Sequence, residues 1–211
     1  MNIVVIGVGY VGLITGLGLS KLNHKVHFLD IDSEKIKKLK KSTAPFYEPE
    51  LENYLNNEGL KNSIDFTDNY DLINWKETDI IMICVQTPSL ENDEINLSFL
   101  NDVFQEIEKH ASNQSVICIK STIHPNALKN VLDSTSFTEQ QIVFNPEFLR
   151  EGSAFNDFFN PDRIVIGSIN ESNSKKVAEL YKEIDSDVLF TDPISSQLIK
   201  NLSNAYLPLR L

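Results

Sequence analysis

The sequence predicts an α/β fold, a doubly wound and mainly parallel sheet with helices on both faces, and three observations predict it. Apolar runs of four to six residues alternate with longer stretches of helical period along the chain. The first run, Asn2-Ile-Val-Val-Ile6, opens directly into Gly7-Val-Gly9-Tyr10-Val11-Gly12, a G-x-G-x-x-G turn. The next, Lys25-Val-His-Phe-Leu-Asp30, ends on an acid eighteen residues after Gly12. Strand, glycine turn, helix, strand and acid in that order are the Rossmann-type arrangement for a dinucleotide.

Taken in order, the apolar runs place strands at 2–6, 25–30, 64–67, 79–85, 115–120, 141–145, 163–167 and 187–191. Between them, helical period places helices at 11–22, 33–41, 49–57, 97–109, 126–133, 173–184 and 194–207. The helix at 97–109 carries Leu97, Leu100, Val103, Phe104 and Ile107 on one stripe. Ser42-Thr-Ala-Pro-Phe-Tyr-Glu-Pro49 and Ser89-Leu-Glu-Asn-Asp-Glu-Ile95 read as loops. No repeat, low-complexity tract or linker divides the chain.

Composition limits the function classes. The chain has 211 residues, enough to bury a substantial core, and a net charge of −11, which argues against nucleic acid as partner. An anionic substrate must therefore meet a local cluster of lysine and arginine. No apolar run reaches about 18 residues and no charged-then-apolar leader is present, so the expectation is a soluble, cytoplasmic protein without a membrane partner. Both cysteines, Cys84 and Cys118, sit within apolar strand runs, where burial makes a thiol inert. None of His24, His27, His110 and His124 has a metal-like partner at a sensible spacing, leaving them as surface or packing residues and no metal site.

Each glycine of the turn has a physical task. Gly7 allows the tight turn out of the strand, Gly9 lets the backbone approach a pyrophosphate, and Gly12 lets the helix pack closely on the sheet. Phosphate then meets free N–H groups at the positive end of that helix. Asp30 can accept hydrogen bonds from both ribose hydroxyls and would repel a 2′-phosphate, which favours NAD over NADP. Asp32 is a weaker ribose candidate, with helix capping as its commoner role. Lys35 could reach the ribose or phosphate, or remain a surface lysine. The bland alternative for the whole motif is a glycine-rich turn without a ligand.

Open α/β sheets bind ligands beyond the carboxyl ends of their strands. Three segments fall there: Gln86-Thr87-Pro88, Lys120-Ser121-Thr122 and Asn145-Pro-Glu147-Phe148-Leu149-Arg150-Glu151-Gly152. Glu147 and Glu151 stand four apart and would converge if the intervening turn were helical, raising one carboxyl toward the pKa of a general base. The alternative is a capped, solvated turn. Thr122 has helix capping before His124-Pro125 as its plainer role.

Together, the glycine turn, Lys120-Ser-Thr122, Asn145 to Gly152, Asn160-Pro-Asp-Arg163-Ile-Val-Ile-Gly167 and Leu198-Ile-Lys200-Asn-Leu-Ser-Asn204-Ala-Tyr206 resemble the UDP-glucose/GDP-mannose dehydrogenase family. The resemblance spans the whole chain, and Phe-Leu-Arg-Glu-Gly followed by Pro-Asp-Arg-Ile-Val-Ile-Gly is more similar to the UDP-glucose branch. It implies oxidation of a sugar C6 alcohol to a carboxylate by two NAD⁺ in turn, through a cysteine-bound thiohemiacetal and thioester that water releases. It implies that Thr122 and Glu151 position and activate the water and contact the cofactor, with Thr87, Tyr10 and Val11 also at the cofactor. Lys200 and Asn204, i and i+4 on one helix face, would stabilise the alkoxide or oxyanion. Glu147, Phe148, Leu149 and Arg150 would line the UDP-sugar, with Glu147 organising sugar and water.

The family's nucleophile lies in an F-G-x-G-G-x-C-x-P-K-D segment that this sequence does not contain. The resemblance therefore implies an NAD-binding domain over 1–193 and, at 194–211, the start of the central helix through which the family dimerises. Such a chain would bind NAD without completing turnover. A stand-alone NAD-binding or regulatory module, a GDP-mannose dehydrogenase fragment and a short hydroxyacid-type dehydrogenase using Lys200 and Asn204 are the alternatives. Pro208 cannot donate to the Asn204 carbonyl, so the last helix is expected to kink or end between Asn204 and Leu207, leaving Leu207, Leu209 and Leu211 as an apolar tail.

Overall fold

Strands whose side chains are buried on both faces belong in the middle of a sheet, and their burial sets the order here. The computed structural model describes residues 1–90, 95–111, 115–125 and 127–209, with side chains through Tyr206. Strands β4 (Ile80–Ile83), β5 (Val116–Ile119), β6 (Ile142–Phe144) and β7 (Ile164–Gly167) are buried throughout, as is β1 (Asn2–Ile6) after its first residue. Strands β2 (Lys25–Leu29), β3 (Ile64–Thr67) and β8 (Val188–Thr191) carry the exposed positions. The order is β3-β2-β1-β4-β5-β6-β7-β8. Its first six strands have the dinucleotide-fold sequence, with the carboxyl ends of β1 and β4 at the reversal. All pairs are parallel except β6 with β7, which meet antiparallel through one residue pair, Phe144 and Gly167.

Period-two alternation divides the core. Ile3 and Val5 face one apolar cluster and Val4 and Ile6 the other. Helices α1 (Tyr10–Lys21), α2 (Ser33–Lys40), α3 (Leu51–Leu55), α6 (Ala154–Phe159) and α7 (Glu171–Ala178) fill the first side. Helices α4 (Ser98–His110) and α5 (Ala127–Leu132) fill the second. Helix α8 (Pro193–Leu209) lies against β6 and β7. Residues 12–20 of α1 are buried without a break, because α3 and α6 cover the face that α1 turns away from the sheet. This close seating needs Gly12, where a Cβ would fall on the Gly7 carbonyl oxygen.

The helix expected at 49–57 shrinks to α3, since Glu50 takes a left-handed φ of 67° before it. The one expected at 173–184 is α7 followed by a 3-10 turn at Glu179–Tyr181. Helix α6 was not foreseen, being six residues whose N-terminus is held by Glu48 from 106 positions away. Helix α8 does not end before Leu207 but continues to Leu209, as Pro208 falls in the final turn and forfeits one bond there. The side chains of Leu207, Leu209 and Leu211 lie outside the described residues, as do 91–94 of the expected 89–95 loop, whose ends, Ser89 and Ile95, form an antiparallel bridge. No helix among the described residues is long and apolar enough to cross a membrane.

Of the histidines, His24 is 7% exposed, and the Met1 amino group donates to Nδ1 while Nε2–H donates to the Leu180 carbonyl. Burial holds its pKa below the ordinary imidazole value, outweighing the Leu180 carbonyl, and the Met1 charge acts in the same direction.

Two outcomes follow from this packing. Gly12→Ala should lower the unfolding free energy by about 1–3 kcal/mol in urea titrations, because the new methyl meets backbone that has no side chain to rotate away. Native His24 resists protonation, so its share of stability is present above about pH 6.5 and is lost as pH falls below it. His24→Gln should flatten the fall in urea midpoint between about pH 7.5 and 5.5.

Candidate active site at the carboxyl ends of the strands

The loop after β1 supplies the first part of the site. Gly7, at φ 91°, turns the chain so that its own N–H donates to the Leu29 carbonyl at 2.9 Å. Helix α1 then starts with Gly9 at its cap and no side chain bonded to its first amides, leaving these donors at the positive end of a twelve-residue helix. A Cβ on Gly9 would meet nothing within 4 Å, so the space above the turn is open. An unencumbered row of amides beneath open space fits a pyrophosphate.

Asp30 is 8% exposed beside this turn. Its Oδ2 accepts from Val8 N at 2.7 Å and Lys35 Nζ at 2.8 Å, and its Oδ1 accepts from Asp32 N at 2.9 Å. One carboxylate thus fixes both the glycine turn and the start of α2, with acceptor capacity left for a diol. Asp32 is the cap of α2, accepting from the amides of Glu34 and Lys35 at 3.1 and 3.0 Å, which is the plainer of its two expected roles. Ile31, 78% exposed next to Asp30, was not singled out in the sequence, although an apolar residue following the strand-end acid was a readable signal.

The second part lies across the sheet. A cleft of about 710 Å³ is lined by Glu147, Phe148, Leu149, Arg150, Lys200 and Asn204, among others. Lys200 is buried, with 6% of its surface exposed. Its Nζ donates to Glu147 Oε1 at 2.8 Å, while Glu147 Oε2 accepts from Leu149 N at 2.7 Å. Phe148 has the Arg163 guanidinium 5.0 Å and the Lys200 ammonium 5.4 Å from its ring centre. Arg150 is exposed and held in bidentate contact with Asp157, at 2.7 and 3.1 Å. Asn204 stands one turn beyond Lys200 on α8, exposed on the same cleft.

Glu147 and Glu151 do not converge. Residues 146–150 are not helical, Glu147 turns inward to Lys200, and Glu151 is exposed. Thr122 is no helix cap, since α5 starts at Ala127, too far along the chain for its hydroxyl to serve the first turn. Instead the Thr87 hydroxyl donates to the Thr122 carbonyl at 2.6 Å, and Ser121 Oγ donates to the Val85 carbonyl at 2.6 Å. The loops after β4 and β5 are stitched together beside the sheet's reversal, which lies between β1 and β4.

Beneath the cleft, buried Lys120 donates to both the carbonyl and Oδ1 of Asn145 at 3.0 Å, and the Tyr181 hydroxyl donates to the same Oδ1 at 2.6 Å. Burial holds Lys120 below lysine's ordinary pKa. Cys84 and Cys118 are free and buried in the same region, and burial pushes both thiols up to about 12. Neither is a nucleophile at neutral pH. Among the described residues no group of His, Cys, Asp and Glu could hold a metal ion.

Comparisons with known proteins identify the family. Residues 1–185 match the UDP-glucose/GDP-mannose dehydrogenase family, NAD binding domain. The chain is 38% identical to UDP-glucose 6-dehydrogenase YwqF of Bacillus subtilis, over all of this chain and 49% of that protein. It is also 38% identical to UDP-glucose 6-dehydrogenase of Rickettsia felis, over all of this chain and 48% of that protein. Among solved structures, a ternary complex of GDP-mannose dehydrogenase from Pseudomonas aeruginosa superposes with a TM-score of 0.91 at 27% identity, covering 100% of this chain and 50% of that one. A UDP-glucose dehydrogenase from Pyrobaculum islandicum gives 0.87 at 29%, covering 98% of this chain and 49% of that one. The chain spans about half the length of the curated relatives it matches. By its sequence and its fold, this chain belongs to the UDP-glucose/GDP-mannose dehydrogenase family.

Proposed function

We propose that this chain is the NAD-binding part of a UDP-glucose 6-dehydrogenase, the enzyme that oxidises the sugar C6 alcohol to a carboxylate. The observation that carries the reading is one rim holding both an open amide-lined turn beside Asp30 and a buried Lys200–Glu147 pair facing a cleft. Relatives at 38% identity support UDP-glucose over GDP-mannose, for which a matched solved structure is 27% identical.

In this reading the first-turn amides at Tyr10, Val11 and Gly12 hold the NAD pyrophosphate. Asp30 takes the adenosine ribose, with Lys35 pivoting from Asp30 toward it, and Ile31 offers an apolar shelf to the base. Thr87, Thr122 and Glu151 line the cofactor farther along the rim. The bound cofactor supplies a hydride acceptor for sugar C6. Lys200, fixed by Glu147 and shielded from water, donates to the C6 oxygen as negative charge grows on it, and Asn204 adds a second donor. Arg163, with Arg150 and Lys200 that are paired to Asp157 and Glu147, gives the cleft its cationic groups for an anionic nucleotide sugar on a chain whose net charge is −11. Thr122 and Glu151 hold and deprotonate the water that releases the acid.

The covalent step requires a thiol, and neither Cys84 nor Cys118 can supply it. We assign residues 1–193 to the NAD-binding domain and 194–211 to the start of a connecting helix. The exposed Ile194, Leu198, Leu202 and Tyr206 of that helix support a dimer contact in the whole protein. Two free cysteines fit a cytoplasmic location.

The isolated chain should bind NADH by fluorescence titration and form no UDP-glucuronate; steady NADH production from UDP-glucose would contradict the reading. Gly9→Ala should weaken NADH binding about tenfold while changing unfolding free energy by less than about 0.5 kcal/mol. Lys200→Met should destabilise the fold by roughly 3 kcal/mol by stranding Glu147, and adding Glu147→Leu should recover most of that loss in a double-mutant cycle.

A further inference from the structure

Glu48 lies in the segment that the sequence marks only as a loop, yet it is 5% exposed. Among the described residues no lysine or arginine pairs with it. A carboxylate withdrawn from water without a counter-ion costs several kcal/mol unless donors satisfy it. Three do: Oε2 accepts from the Tyr10 hydroxyl and from Gly152 N, both at 2.8 Å, and Oε1 accepts from Ala154 N at 2.9 Å. Burial alone would raise its pKa, and these donors outweigh burial and hold the carboxyl below its ordinary value.

The donors come from two separate parts of the site. Tyr10 is the first residue of α1 in the glycine turn, and its ring also packs on Phe46, with centroids 5.4 Å apart. Gly152 and Ala154 end the loop that begins at Asn145 and carries Glu147 to Arg150. Gly152 has a φ of 85°, a conformation that glycine adopts freely, and its N–H is the one given to Glu48. The Tyr10 hydroxyl stands 3.1 Å from the Arg150 carbonyl, a second contact with the same loop. Lys200 fixes the loop near its start and Glu48 fixes it at its end.

We propose that Glu48 is a positioning residue that joins the dinucleotide turn to the sugar-side loop, so that a cofactor seated on residues 7–12 stiffens residues 147–154. This rests on the reading of residues 7–12 as the NAD site. The mechanism is local. A dinucleotide held by the first-turn amides removes the freedom of Tyr10, and Glu48 passes that constraint to the amides of Gly152 and Ala154. Glutamine cannot take the part of Glu48, because both carboxylate oxygens accept and an amide would set an N–H against another donor.

The test is hydrogen exchange of the Gly152 and Ala154 amides, resolved by NMR on the 211-residue chain with and without saturating NADH. Binding is followed separately by NADH fluorescence. The expected result is that NADH slows exchange at both amides by about tenfold in the parent chain. In Glu48→Gln and in Tyr10→Phe, exchange is faster, and saturating NADH changes it by less than about twofold. A purely structural role would speed exchange yet keep the NADH-dependent ratio, and that result overturns the proposal. So does a ratio near one in the parent chain with NADH demonstrably bound. If the parent chain binds no NADH, the reading of the turn falls and this proposal with it. Should Glu48→Gln fail to fold, Tyr10→Phe, which removes a single hydroxyl, decides the matter alone.

Discussion

The site depends on one buried asparagine. Asn145 is 2% exposed and sits where the sheet changes direction, at the end of β6, whose hold on β7 is a single antiparallel pair. Its Oδ1 accepts from Lys120 and Tyr181, its carbonyl accepts from Lys120 again, and its Nδ2 donates to the Val165 carbonyl at 2.9 Å. One side chain therefore fastens β5, β6, β7 and the turn after α7 at the point where backbone pairing is sparsest. A polar network of this kind is costly when any member is missing, which makes its geometry close to all-or-none. The chain leaves Asn145 as Pro146 and Glu147, so the direction in which Glu147 reaches Lys200 is set by that junction.

From there the site is built as a rim with charge placed against the overall field. The chain carries a net −11, yet Lys120, Arg150, Arg163 and Lys200 line one cleft against only three acids there, Glu147, Asp157 and Asp162. Lys200 and Glu147 are both largely withdrawn from water at 8% and 15% side-chain exposure, a pair that adds little to stability compared with an apolar substitute. Its value is in presenting a desolvated ammonium at a fixed place. At the other end of the rim, Asp30 plays the equivalent part for the glycine turn, holding Val8 with the carboxylate that is proposed to take the ribose.

What the sequence discloses and what it conceals divide by range of interaction. Every strand was legible to within two residues because buried apolar runs are local, and so was the glycine turn, whose meaning lies in six consecutive residues. Lys200 with Asn204 was legible as a helical pair. Contacts between distant segments were not. Nothing in the run of residues 42–49 announces that Glu48 will cap α6, and nothing near Asn145 announces Tyr181, 36 positions later. The convergence of Glu147 with Glu151 was a local guess that a long-range partner overrode, since Lys200 draws Glu147 inward. Pro208 failed as a helix stop for the opposite reason, its cost being confined to the final turn of a long helix.

The glycine turn and Asp30 are proposed to form one half of a shared site whose other half is the Lys200 cleft. A crystal structure of this chain with NADH tests it most directly. The pyrophosphate is expected against the first-turn amides of α1, the adenosine ribose on Asp30, and the nicotinamide end directed along the rim toward Thr122 and Lys200. A dinucleotide seated away from the turn, or one whose nicotinamide end points away from the cleft, would contradict it.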